Sequence, residues 1–151
     1  MNKTALFFAT LGGLGRAPFA PGTLASIVAL PLAWLILRAG GISMLLALTA
    51  AVAGVGIAAC DRVARATNNP DPSECVIDEL AGQWLACAFA PLSIGGFALA
   101  FLVFRTFDIL KPWPISASER LVGGLGIVAD DLVAGLMGGV LVAGASIAGL
   151  V

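Results

Sequence analysis

The sequence predicts an all-α, polytopic membrane protein, with about five helices packed as one bundle and a polar site at one membrane interface. Three observations predict it. Hydrophobic residues make up 60% of the 151 and charged residues 11%, and mean hydropathy is +1.03, whereas a soluble domain is nearer half apolar and a quarter charged. Apolar stretches of crossing length recur between Gly- and Pro-rich breaks. The charged residues gather at those breaks instead of spreading along the chain. The length suits one domain. A net charge of −1 argues against a nucleic-acid partner. Cys60, Cys75 and Cys87 contain no CxxC pair and read as small apolar residues in a reducing or lipid setting.

Taken in order, residues 1–15 are apolar, with Lys3 near the start. Arg16 and the Pro18/Pro21 pair stand where a signal peptide would need a small-residue cleavage site, so the stretch is read as part of the protein. Residues 15–23 are a proline- and glycine-rich turn. Thr23 and Ser26 are candidate caps for the helix that follows, and Arg16 with the turn's backbone N–H groups could face an anion. Residues 23–37 form a first crossing, with Pro31 inside it, which lipid-buried helices tolerate. Arg38-Ala39-Gly40-Gly41 is a tight turn, and residues 42–60 form a second crossing.

Asp61, Arg62 and Arg65 mark an interface, and residues 68–72 a loop. A helix from about Pro72 to Ala90 is expected next, capped by Asp71 or Ser73. On it, the carboxylates of Asp71, Glu74 and Asp78 would share one face. Pro91 to Gly96 break the apolar run and make a hairpin, so a fourth crossing ends at Phe104. In Phe104 to Pro114, Arg105, Asp108 and Lys111 step by three and would lie along one helical stripe, which Pro112 and Pro114 end. Gly123 to Gly126 lead into the last crossing, which carries Asp130 and Asp131 near its start. Its Gly135/Gly139 pair suits close packing, within the chain or in a homo-oligomer.

Five crossings with a cytoplasmic N-terminus put Lys3, Arg16, Arg62, Arg65, Arg105, Lys111 and Arg120 inside and only Arg38 outside, as the positive-inside rule asks. All nine acidic residues fall on the same inner side. The polar site is thus expected to face the cytoplasm.

Four acidic groups on that face, Asp71/Glu74, Asp78/Glu79, Asp108 and Asp130/Asp131, would repel one another if left empty. A hard divalent cation relieves the repulsion, and oxygen ligands suit magnesium. Asp78, Glu79, Asp130 and Asp131 are the candidate metal ligands, near helix N-termini that favour negative charge. Arg16, Arg105, Lys111 and Arg120 are then available for an anion. Carboxylates that hold a metal beside cations suit phosphoryl-group hydrolysis. A cysteine nucleophile in the C-x5-R arrangement is absent, because Ala66, Ala81 and Ser93 stand six residues after the three cysteines. The lack of histidine excludes histidine nucleophiles, and no D-x-D pair is present for an aspartyl-phosphate. The competing reading is a non-enzymatic cation-binding membrane protein. A transport path, however, would put charge near the bilayer midplane, not at one face.

APGT at 20–23, DPSECVIDELAGQW at 71–84, FRTFDILKPWPI at 104–115, ER at 119–120 and GGLGIVADDLVAG at 123–135 together resemble the phosphatidylglycerophosphatase A family, in order and over most of the chain. The resemblance implies an all-helical, magnesium-dependent enzyme of the bacterial inner membrane. Its substrate would be the lipid phosphatidylglycerophosphate, converted to phosphatidylglycerol and phosphate in glycerophospholipid biosynthesis. The alternative within enzymes is a phosphatase for another lipid phosphate. Carried over by position, the catalytic set is Asp78, Glu79, Arg105, Asp108, Lys111 and Asp131, with Asp130 beside it. Arg16, Thr23, Arg105, Lys111 and Arg120 are expected to bind substrate. A glycine that often follows APGT in relatives is Ala25 here.

Overall fold

A computed structural model describes residues 2–151. Helix α1, Lys3–Ala9, is capped by Asn2, whose Oδ1 accepts from the Thr4 N–H at 3.0 Å. A 3-10 segment, Leu11–Arg16, turns the chain. Then come α2 (Pro21–Thr67), α3 (Ile77–Cys87), α4 (Ile94–Leu110), α5 (Ile115–Ser118) and α6 (Gly124–Ile147). No strand occurs among the described residues, so the fold is all-α as expected.

Helix α2 is two arms joined at Gly41, where φ 68 and ψ −167 leave the helical region. The chain reverses there. Gly22 lies against Glu79, and Gly56 lies against Ile77, so both sit at the start of α3. A straight helix would hold residues 22 and 56 about 50 Å apart. The Arg38–Gly41 turn is therefore as expected from the sequence, and each arm has the about 20 residues a crossing needs.

The bundle is built around small side chains. Ala25, Ala29, Ala33, Ala53, Ala59, Ala81, Ala86, Ala100 and Ala134 are buried, while Leu35, Leu102, Val140 and Ile147 are exposed. Helices that pack in lipid use this arrangement, because close backbone approach supplies the contacts and large apolar side chains lose nothing by facing outward. Helices α2 and α6 are long and apolar enough to cross a membrane, with hydropathies of 2.2 and 1.9 over their best windows. Helices α3 and α6 pack closely. A Cβ on Gly135 would overlap the Gly82 carbonyl, one on Gly82 would stand 2.6 Å from the Asp131 carbonyl oxygen, and Gly139 rests on Phe89. These pairs advance in the same direction along both helices, so α3 and α6 run parallel. The sequence named Gly135 and Gly139 as a packing pair; their partner is α3 of the same chain.

Two expectations for helix starts are corrected. Helix α2 begins at Pro21, with Ala20 at its cap position and no side-chain cap, because a proline is pre-set for the first helical turn. Thr23 is therefore no cap, and the Ser26 hydroxyl instead donates to the Gly22 carbonyl at 3.0 Å. Helix α3 spans Ile77–Cys87, 11 residues, and not 72–90. The Val76 N–H donates to the Ala9 carbonyl at 2.9 Å, and Gly15 sits against the Glu74 carbonyl with no room for a Cβ. Those tethers hold residues 71–76 across the end of α1 in irregular conformation, so Asp71, Glu74 and Asp78 do not share a helix face.

Gly41 and Gly54 separate backbone strain from packing, since a Cβ meets nothing within 4 Å at either. Gly41→Ala must place a side chain at φ 68 and should lose about 1–3 kcal/mol. Gly54→Ala, inside a helical arm, should gain up to about 1 kcal/mol. Thermal unfolding in detergent should show midpoints moving in opposite directions; a shared direction would place the reversal elsewhere.

Candidate active site

The parallel contact of α3 and α6 sets the site. Asp78 stands one turn before Gly82, and Asp131 one turn before Gly135, so the two carboxylates arrive side by side. Glu79, next on α3, joins them, and one ligand oxygen from each of Asp78, Glu79 and Asp131 lies within 4.8 Å of the others. Asp78 and Asp131 are 8% and 3% exposed. Glu79 Oε2 and Asp131 Oδ2 are buried with no hydrogen-bond partner in the protein, a costly state for carboxylate oxygens unless something else meets them.

Cations border this cluster on the α4 side. Arg105 forms an ion pair with Asp108, and its Nη1 is 3.9 Å from Glu79 Oε1. Arg105 Nε is buried without a partner. Lys111 Nζ donates to Asp130 Oδ2 at 2.7 Å and to Glu119 Oε1 at 2.9 Å. Burial works against the charge on Lys111, but the carboxylates of Asp130 and Glu119 more than offset it and raise its pKa above the ordinary lysine value. The enclosed space measures about 210 Å³ and is walled by Asp71, Asp78, Glu79, Asp108, Lys111, Asp130 and Asp131. Asp71 and Asp130 also line a wider cavity of about 600 Å³ toward Asn68, Asn69 and Glu119.

Pro21 of α2 also lines this space, and Gly22 backs the Glu79 side chain. A Cβ there would overlap the Glu79 carboxylate and stand 3.4 Å from Arg105 Nη1. This is the physical content of the APGT stretch: the α2 arm passes so close to the site that any side chain at Gly22 would have to move the Glu79 carboxylate.

Most of the residues expected at the site are assembled there, with differences in detail. Arg105 and Asp108 share the α4 stripe, but Lys111 does not continue it. Pro112 bars Lys111 from the right-handed helical conformation, and Lys111 sits at φ 44, ψ 52 as the C-cap, from which its amine swings to α6. Asp130 lies on the cavity wall, held by Lys111, beside the three clustered carboxylates and not among them. Arg16 is drawn away to Glu74 at 3.4 Å. Thr23 is half-buried and Arg120 exposed, and neither lines the 210 Å³ cavity. Sequence reasoning missed Glu119, although it had marked the ER dipeptide, and it missed Gly22 as a contact. A rigid turn preceding a helix was the one signal for Gly22.

The family model for phosphatidylglycerophosphatase A matches residues 7–146. The chain belongs to that family. The phosphatidylglycerophosphatase A of Escherichia coli (strain K12) is 33% identical over 127 residues, covering 83% of this chain and 73% of that protein. The Haemophilus influenzae phosphatidylglycerophosphatase A is 35% identical over 126 residues, 82% of this chain and 77% of its own. A Bacteroides thetaiotaomicron protein provisionally named a phosphatidylinositol-3-phosphatase is 34% identical over 138 residues, 87% of this chain and 86% of its own. No solved structure matches the fold. As a member of the phosphatidylglycerophosphatase A family the protein is a phosphatase, a phosphoric monoester hydrolase, and the cation-carrier reading falls away.

Gly22→Ala tests the wall. The added methyl must displace Glu79 or Arg105, and a shift of about 1 Å at such a site can cost about a hundred-fold in rate. Phosphatase activity should fall by that order while the detergent-solubilised protein keeps its helical circular dichroism. Activity within about two-fold of wild type would show that α2 yields to the methyl without disturbing the site.

Proposed function

We propose that the protein is a magnesium-dependent phosphatidylglycerophosphate phosphatase of the bacterial inner membrane, with its active site facing the cytoplasm. It would release the terminal phosphate to give phosphatidylglycerol, a step of glycerophospholipid biosynthesis. The observation that carries this reading is the convergence of three carboxylates, two with orphaned buried oxygens, beside Arg105 and Lys111.

The donor set fits a hard divalent cation: it is all oxygen, it is clustered, and it is short of partners. Asp78, Glu79 and Asp131 would hold the ion, with Asp130 oriented beside them by Lys111. When bound, magnesium supplies Lewis-acid neutralisation of phosphate charge and a more acidic water. The chain's own groups do the rest. Arg105 presents a planar fork for phosphate oxygens, and Asp108 fixes its orientation. Lys111 adds a point charge on the cavity wall. A lipid phosphate enters at interface depth, where Arg105 follows the apolar run of α4 and its stem lies along packed surface. The cytoplasmic assignment rests on the gathering of acidic and basic side chains at the end of the bundle opposite Arg38.

A second reading, a phosphatase for another lipid phosphate, is favoured by the name of the Bacteroides relative. Phosphate release by the purified protein separates the two. On phosphatidylglycerophosphate, phosphatidylinositol 3-phosphate and phosphatidic acid, release should be fastest on the first, vanish in EDTA and return with magnesium. Faster release from phosphatidylinositol 3-phosphate would establish the second reading, and full activity in EDTA would remove the metal from the proposal. Asp131→Asn should abolish turnover in a folded protein. Arg105→Lys keeps the charge but loses the fork, and should slow turnover about ten- to a hundred-fold, the equivalent of about 1.5–3 kcal/mol for hydrogen bonds to a charged group.

A further inference from the structure

An apolar groove of about 530 Å³ opens between the first arm of α2 and α4, walled by Pro31, Trp34, Leu35, Ile94, Phe97 and Ala98. That volume is in the range of small-molecule sites. No charged residue lines it, so it offers an occupant only shape and apolar surface. Trp34 and Phe97 meet edge to face at its floor, ring centroids 5.1 Å apart. Leu35 and Ile94, 64% and 86% exposed, stand at its rim.

The position of the groove says what occupies it. Ile94, Ala98, Arg105 and Asp108 fall on one helical stripe of α4, stepping by threes and fours through residue 101. The α2 wall climbs from Trp34 through Leu30 and Ile27 to Thr23, beside Gly22. The two stripes form one seam. Its upper end is the contact of Gly22 with Arg105 and Glu79, and its lower end is the contact of Trp34 with Phe97. From residue 105 to residue 97 the seam descends about 12 Å. A lipid whose phosphate sits at Arg105 would hang its chains along this seam.

We infer that the groove is an acyl-chain subsite that takes one fatty chain of the lipid phosphate held at Arg105. The inference rests on the proposed lipid-phosphatase reading and adds to it a determinant of chain length. Every bilayer lipid can brush the outside of the bundle, but only one anchored by its phosphate at the head of the seam is held over the groove. Apolar contact along it contributes binding to long chains. A short-chain substrate ends above it and gains nothing there.

Two measurements test this. Ala98 is exposed, so Ala98→Phe fills the groove without entering the core. The ratio of kcat/KM on dioleoyl to that on dihexanoyl phosphatidylglycerophosphate should fall about ten-fold in Ala98→Phe, and an unchanged ratio overturns the inference. The second measurement needs no turnover. In bilayers doped at equal low fraction with chain-brominated phosphatidic acid or chain-brominated phosphatidylcholine, tryptophan fluorescence should be quenched more by the phosphatidic acid. That excess should vanish in Trp34→Phe. Equal quenching by the two lipids, or an excess that survives Trp34→Phe, overturns the subsite whatever the phosphatase assays give. A protein that fails to hydrolyse phosphatidylglycerophosphate but shows the Trp34-dependent excess keeps the subsite and loses the proposed substrate.

Discussion

The backbone contact of Gly82 with Gly135 is the constraint on which the rest depends. Parallel helices in register bring equivalent positions together. With the glycines touching, Asp78 and Asp131 meet one turn earlier, and Glu79 meets both. Any side chain at either glycine would push α3 and α6 apart and widen the carboxylate cluster. Without that cluster, neither the orphaned oxygens of Glu79 and Asp131 nor the placement of Arg105 has a physical reason. A membrane bundle has little hydrophobic force between its helices, so close packing of small residues has to hold the cluster together.

The basic groups divide into two arrangements that the sequence did not separate. Arg105 stays on α4 and is held by Asp108 with Glu79 nearby. Lys111 is turned off the helix by the proline that follows it and ties α4 to α6 through Asp130 and to the residues after α5 through Glu119. The first leaves buried donor capacity unpaired, since Arg105 Nε has no partner. The second spends two of its three ammonium donors on carboxylates. Lys111 thus works as a clasp across the mouth of the site, while Arg105 keeps a donor that no protein group meets.

Composition and breaks made the fold class legible, because exclusion from water and the conformations of Gly and Pro are local properties. The reversal at Gly40-Gly41 and the end of α4 before Pro112 could both be read directly. The start of α3 could not. Asp71, Pro72 and Ser73 are good first-turn residues, and only the tethers from Ala9 and Gly15, distant in sequence, keep residues 71–76 from coiling. Arg16 was placed near an anion by its neighbourhood, yet Glu74 reaches it first. The acidic pairs were legible as a group. Which member of the second pair joins the cluster was not, because that depends on the angle at which α6 meets α3. Gly22 was read as part of a turn, and its contact with the Glu79 carboxylate exists in three dimensions alone.

The shortness of α3 bears on how the protein is made. Eleven residues rise about 16 Å, roughly half of a hydrocarbon core, and the helix opens with two acids that lipid would reject. Such a segment is a poor membrane passenger by itself. Its shelter is shared between α2, already made when it emerges, and α6, which leaves the ribosome only after α4 and α5 have been made. The α6 half of that shelter, including the Gly82–Gly135 contact, is completed only when the last helix arrives. The carboxylate cluster, which needs Asp131, is therefore the last part of the fold to form, and truncations that remove α6 take away one of the two main packing partners of α3.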